Sequence, residues 1–284
     1  MKPLHIQKKK ASKLVTKTAI YIILLFVAAL ILFPLLNIII VSINTEKDLV
    51  ANPLNIPKSI NFENYIYAWE KSKFLLYGFN TVVVCMMTIT MNVICASLAA
   101  YAIDRFEFKE VKSSYYYFMM GIFVPIQVII LPLFKNLKAT GLMNNLFGLA
   151  IIYTATTLPL SILMFTGFYK TIPKELDESA LVDGCKPFKC FWRIIFPLSK
   201  VVVATVTVLI SLEVWRDFFI PLVVVTSPSK KTLTSGLLNL MSEFSVEWTK
   251  FSAAMVMQAI PIIILFLLLQ KYFTKGVVSG AVKG

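Results

Sequence analysis

The chain has 284 residues, 58% of them hydrophobic and 15% charged, with a mean hydropathy of +0.77 and a formal net charge of +13. Soluble domains carry roughly 25% charged residues, so a single water-soluble core is excluded in favour of an integral-membrane unit of several spans. The basic balance does not point to nucleic acid, because the lysines are spread among loops without an RNA- or DNA-binding signature, and one histidine, His5, leaves no zinc-type cluster.

A membrane-crossing helix needs about 20 apolar residues. After a lysine-rich tail, residues 1–17, the first predicted span covers 18–43. Its apolar run exceeds the roughly 7–15 residues of a signal-peptide core, and "NIIIVSINTEKD" offers no small-x-small cleavage site, so a retained helix is expected. Further spans are predicted at 76–103, 114–134 and 144–168. Pro34, Pro125, Pro132 and Pro159 fall within these spans and Pro261 within the last, which predicts kinks whose freed carbonyls find partners on neighbouring helices. Asn92 and Gln127 read as helix-to-helix hydrogen-bonders. Cys85, Cys95, Cys185 and Cys190 read as reduced thiols filling small apolar sites.

Between the fourth and fifth spans lies a charged insert, 172–199, containing "DESALVDGCKPFKCFWRIIFPLSK". Pro173 suits a first helical position, and Glu175, Asp177 and Glu178 place negative charge at the positive end of a helix dipole. Gly184 stands where helices stop in a left-handed conformation, and Pro187 opens a second short helix closed off by Pro197. In that helix Phe188, Phe191, Trp192 and Ile195 share one face and Lys189 and Arg193 another. An amphipathic connector of this kind can lie against a membrane. The small residues Ser179 and Ala180 beside Glu178 favour docking against a protein partner, with Glu178 free for a charge-assisted hydrogen bond.

The fifth span, 201–225, carries Glu213, Arg216 and Asp217 at depth. At roughly +2.5 to +3.5 kcal/mol per central charge these cost about 8–10 kcal/mol, which the Leu, Ile, Val and Phe residues of the segment offset by only about 5–10 kcal/mol. The three charges, three and four residues apart, therefore share a face turned to the bundle interior or to water, where Glu213 and Arg216 can pair. One reading is an ion pair that fixes helix packing. The other is a pathway face, on which carboxylates and guanidinium bond sugar hydroxyls while Trp215, Phe218 or Phe219 stacks on a sugar's apolar side. The sixth span covers 251–271, and a tail follows at 274–284.

Six spans put both termini on one side. The loops on that side, the insert among them, hold eighteen lysines and arginines against nine in the opposite loops, so the positive-inside rule makes the termini and the insert cytoplasmic.

The insert resembles the cytoplasmic EAA loop of permease subunits of ATP-binding-cassette importers, whose pattern is E-A-A, three residues, G, nine residues, I-x-L-P. Glu178, Ser179, Ala180, Gly184, Ile194 and Pro197 stand at that spacing, with Ser179 and Phe196 replacing an alanine and a leucine. The stretches "YAIDRFEFK", "TGLMNNLFGLAI", "VWRDFFIPLVVV" and "QKYFTKGVVSGAVKG" are similar to carbohydrate-importer permeases, most of all to the smaller permease of maltose-type systems. The resemblance implies an all-α membrane protein of the binding-protein-dependent importer permease fold: six transmembrane helices and a coupling loop whose contact with the ATPase runs through Glu178, Ser179, Ala180, Asp183, Gly184 and Pro187. It assigns Glu213, Trp215, Arg216, Asp217, Phe218 and Phe219 to the substrate pathway, although Arg216 departs from the asparagine usual there. The implied partners are a second homologous permease, a dimeric cytoplasmic ATPase, an extracytoplasmic solute-binding protein and a sugar, in the bilayer of a bacterial plasma membrane. The tail after Tyr272 is expected to reach the ATPases.

No G-x-x-x-x-G-K-[ST] loop occurs, so no cofactor is expected on this chain, and ATP with magnesium is expected on the separate ATPase. The chain itself is not expected to be an enzyme. Three alternatives stay open on the residues alone: an importer for another small nutrient such as a polyamine; an ion-coupled secondary transporter or channel, which would show paired ionisable sites in repeated helices; and a membrane scaffold, which would not need the charged face of the fifth span.

Overall fold

The computed structural model describes residues 3–52, 56, 57, 59–241 and 247–281, with side chains described between 16 and 270. It is all-helical, with no strand among the described residues. In chain order the helices are α1 (Pro3–Ser42), α2 (Glu46–Ala51), α3 (Glu63–Lys71), α4 (Phe74–Arg105), α5 (Lys109–Gly121), α6 (Ile126–Ala139), α7 (Leu146–Tyr169), α8 (Glu175–Val182), α9 (Pro187–Leu198), α10 (Lys200–Arg216), α11 (Phe219–Val224), α12 (Leu233–Leu237) and α13 (Trp248–Ala281). Stretches of four of them, Thr16–Ser42, Phe74–Arg105, Leu146–Tyr169 and Trp248–Gln270, are long and apolar enough to cross a membrane, and the bent pairs α5–α6 and α9–α10 bring the number to six if each is one span. The side chains of the C-terminal tail lie outside the described residues.

Two compact units divide the chain, residues 1–68 with 241–257, and 69–240 with 258–284. In the first, the apolar stretch of α1 keeps its side chains exposed from Thr16 to Leu36, as a lipid-facing helix would. Its last carbonyl, Ser42 O, and that of Asn44 just beyond it are both held by the side-chain amide of Asn64, at 2.9 and 2.8 Å. Glu46 in turn accepts from the backbone N–H and hydroxyl of Thr249, at 2.7 and 2.9 Å, and so holds the start of α13.

In the second unit α4, α7 and α10 form the core. Small side chains on α4, Ala96, Ser97 and Ala100, are fully buried and let the helix come close to α7, whose Tyr153, Ile162, Phe165 and Tyr169 are equally buried. Asn92 donates to Thr157 Oγ1 at 2.9 Å, which makes it the interhelical bond its position suggested. At the other end of α4, Asn80 donates to the carbonyls of Ser229 and Lys231, both at 2.9 Å, and Thr81 Oγ1 accepts from Leu233 N at 2.8 Å, docking the loop that opens α12. Gly236 is required there, because a Cβ would lie 2.1 Å from the Tyr77 ring.

The prolines act unequally. Pro34, Pro132, Pro159 and Pro261 sit inside continuous helices. Pro125 stands in the break that turns α6 by 106° from α5, so the third predicted span is two helices and not one kinked rod. Its missing N–H and the bar it sets on αR geometry at Val124 account for the break. Pro197 does not close off the second helix of the insert: α9 continues to Leu198 through a π turn at Phe191–Ile195 and bends by 75° into α10 at Ser199. The wider turn relieves the clash between the Pro197 ring and the carbonyl four residues earlier.

Candidate coupling loop and translocation groove

The insert forms the two expected helices. Helix α8 gathers Glu175, Asp177 and Glu178 in its first turn. It ends on Gly184 at φ 77°, with Cys185 N bonding Ala180 O at 2.9 Å and Gly184 N bonding Leu181 O at 3.0 Å. Pro187 then opens α9 at its first turn, where a missing N–H costs nothing.

Periodicity decides what α8 shows. Asp177 and Ala180, three apart, face the chain's own bundle and are buried. Glu178, Ser179, Asp183, Gly184 and Pro187 are exposed, together with Val182, which is 87% accessible. Ala180 therefore packs inward, while Glu178, Ser179, the apolar pair Leu181–Val182, Asp183 and the corner at Gly184 are exposed. On α9, Phe191 and Ile195 are buried, Trp192 is half-buried and Phe188 stays outside. The Trp192 ring lies 5.0 Å from those of both Phe191 and Phe196, and Phe191 reaches Tyr101 of α4 at 5.2 Å.

Beneath α8 lies a polar cluster that the sequence did not disclose. Arg105, at the end of α4, pairs through Nε with Asp177 Oδ2 at 2.7 Å and through Nη1 with Asp104 Oδ2 at 2.7 Å. Its Nη2 donates to Ile172 O at 3.2 Å. Tyr101 OH and Cys190 Sγ both donate to Asp177 Oδ1, at 3.1 and 3.2 Å. Burial first, and the Asp177 carboxylate second, push the Cys190 thiol up to about 11, so it stays a protonated donor. The only sequence hint was an arginine and an aspartate at the end of a span.

The second feature is a groove between the α5–α6 break, α7 and α10, with a volume of about 390 Å³. Glu213 and Arg216 line it opposite Thr156, Thr157 and Ser161. The two charges form an ion pair in which the Arg216 side chain is 74% accessible. The hydroxyl run "TATTLPLS" on α7 was the overlooked signal, since Thr157 and Ser161 are one helical turn apart.

The other expected pathway residues lie elsewhere. Trp215 is buried, its indole N–H donating to Gln258 O at 2.9 Å, and Phe219 packs partly inside, while Phe218 is half-exposed. Asp217 does not share the face of Glu213 and Arg216, because α10 ends at Arg216. Its carboxylate caps α11, accepting from Phe219 N at 3.0 Å and Ile220 N at 3.2 Å, and takes the Tyr153 hydroxyl at 2.8 Å. The fifth predicted span is thus a broken helix held by its own aspartate. No group of histidines, cysteines and carboxylates suited to a metal occurs among the described residues.

The structure is an all-α bundle with helices long and apolar enough to cross a membrane, a two-helix loop at one helix junction and a groove lined by hydroxyls and one ion pair. The chain belongs to the family of binding-protein-dependent transport system inner membrane components, which residues 92–279 match. It is 31% identical over 268 residues to the probable ABC transporter permease protein YurM of Bacillus subtilis (strain 168), covering 94% of this chain and 89% of that one. It is 30% identical to the galactooligosaccharides transport system permease protein GanQ of the same organism, over 93% of this chain and 94% of that one. Among solved structures, a chain of a bacterial ABC transporter involved in the import of the acidic polysaccharide alginate superposes with a TM-score of 0.81 at 23% identity, over 92% of this chain and 98% of that one. The fold is therefore that of an importer permease.

Proposed function

We propose that this chain forms half of the translocation pathway for an oligosaccharide in an ATP-driven importer of a bacterial plasma membrane. It works with a second homologous permease, a dimeric ATPase that carries the ATP and magnesium, and an extracytoplasmic solute-binding protein. Both termini and the α8–α9 loop lie in the cytoplasm. Relatives named for arabinooligosaccharide and galactooligosaccharide transport support the cargo class.

The observation that carries the reading is α8, which buries Asp177 and Ala180 and leaves Glu178, Ser179, Val182 and Asp183 to be covered by another protein. Closure of the ATPase dimer on ATP pushes this knuckle, and the bundle alternates between inward- and outward-facing states. The groove supports the cargo class from the other end: the hydroxyl oxygens of Thr156, Thr157 and Ser161, whose protons go to carbonyls of their own helix, offer acceptors, and the exposed Arg216 guanidinium paired with Glu213 offers donors, as sugar hydroxyls require.

The test is purification of the tagged chain from its native membrane in mild detergent. A second permease and an ATPase are expected to accompany it, and labelled oligosaccharide is expected to enter vesicles only when both are present with ATP. Uptake by the isolated chain driven by an ion gradient would overturn the reading.

A further inference from the structure

The buried ion pair beneath α8 is more elaborate than holding a short helix requires. Two apolar residues of similar volume would seat α8 as well or better, since the desolvation of a buried pair commonly cancels its attraction. What a charged cluster adds is direction. Asp177 receives Arg105 and Tyr101 from α4 and Cys190 from α9, and Arg105 also fastens Asp104 and the carbonyl of Ile172, where the insert leaves the bundle. The contacts come from two helices and hold both carboxylate oxygens of Asp177, so α8 cannot shift without moving the end of α4 or breaking a buried charge contact.

From there the chain of contacts continues. Helix α4 lies close against α7 along Ala96, Ser97 and Ala100, and Asn92 bonds Thr157, whose side of α7 lines the groove. A displacement of α8 is thus one ion pair, one rigid helix and one hydrogen bond away from the groove wall.

We propose that Arg105 and Asp177 are positioning residues, a joint that passes the movement of the coupling helix to the second span and so to the groove. Neither touches the cargo nor the surface offered to the ATPase. The inference rests on the importer reading above, and its experiment separates the two.

The experiment uses the complete complex in membrane vesicles. Cys95 and Cys185 are replaced by serine, the buried Cys85 and Cys190 are kept, and Leu160→Cys in the groove serves as reporter for N-ethylmaleimide. In this parent, ATP with vanadate is expected to change the labelling rate at position 160 at least fivefold. Arg105→Lys keeps the charge but loses the planar fork that reaches Asp104, Asp177 and Ile172 together. It and Asp177→Asn are expected to cut the change below twofold while the ATPase still copurifies, and Asp177→Glu is expected to restore at least half of it.

A full response in Arg105→Lys overturns the joint and leaves the importer reading standing. Loss of the ATPase, or of the protein itself, in both Arg105→Lys and Asp177→Asn overturns it too, because the cluster then serves folding or assembly alone. A parent without any nucleotide response overturns the importer reading, and the joint with it.

Discussion

Gly184 and Gly236 are both needed as glycine, for opposite reasons. Nothing lies within 4 Å of a Cβ built on Gly184, but its φ of 77° belongs to the left-handed region, whereas Gly236 would drive a Cβ into the Tyr77 ring. Gly184→Ala is therefore expected to cost about 1–2 kcal/mol of purely backbone origin, and Gly184→Asn less, since asparagine tolerates that region. Gly236→Ala forces the ring to move and is expected to lower the melting temperature of the detergent-solubilised protein more than Gly184→Ala does. Asp217 makes a different residue-scale prediction. Asp217→Ala leaves two backbone N–H groups of α11 and the Tyr153 hydroxyl without their acceptor, a loss of about 2–4 kcal/mol if each costs roughly 1 kcal/mol, so it is expected to reduce the amount of folded protein in the membrane. Arg216→Ala, on the groove wall, is expected to slow uptake at unchanged abundance; quantifying both in the same vesicles separates a helix cap from a pathway residue.

At the scale of elements, the local structure of the α8–α9 loop was the most legible part of the chain. Its glycine stop, the helix-opening Pro187 and the acidic first turn are local chemistry, and local chemistry survives folding. The surface it presents gives a prediction of its own: Glu178→Lys reverses an exposed charge, so insertion and abundance are expected to hold while ATP hydrolysis no longer drives uptake. Normal uptake with this variant would remove Glu178 from the docking contact. What the sequence did not give away depends on other elements. Asp177 and Glu178 are adjacent and equally acidic on paper, and only the packing of α8 against Tyr101 and Arg105 of α4 decides that one is buried and the other free. The fifth segment was misread for the same reason. Hydropathy treats 201–225 as one rod, yet Asp217 finds the backbone of Phe219 and Ile220 and the hydroxyl of Tyr153, and the rod breaks there. Pro125 was seen as a kink, but a bend of 106° amounts to a reversal of course that only the surrounding helices define.

For the whole molecule, the reading makes orientation testable through the chain's own cysteines. Cys185, part-exposed beside the Gly184 corner, is expected to react with a membrane-impermeant maleimide in inside-out vesicles and to resist it in intact cells, while Cys190, enclosed by Asp177 and Phe191, resists in both. Labelling of Cys185 from the outer medium would turn the protein over and remove the loop from any cytoplasmic ATPase. The interrupted fifth segment has a further consequence. Arg216 stands at the last residue of α10, where backbone carbonyls gather negative charge, and Asp217 stands where the N–H groups of α11 gather positive charge. Each formal charge meets a helix end of opposite sign, and Glu213 completes the account for Arg216. Of these charges only Glu213 and Arg216 line the groove, and as one ion pair they leave its wall with little net field at a distance. Such a wall neither traps nor repels an ion strongly, and under the proposed function it would let a large uncharged solute slide by exchanging one weak bond for the next.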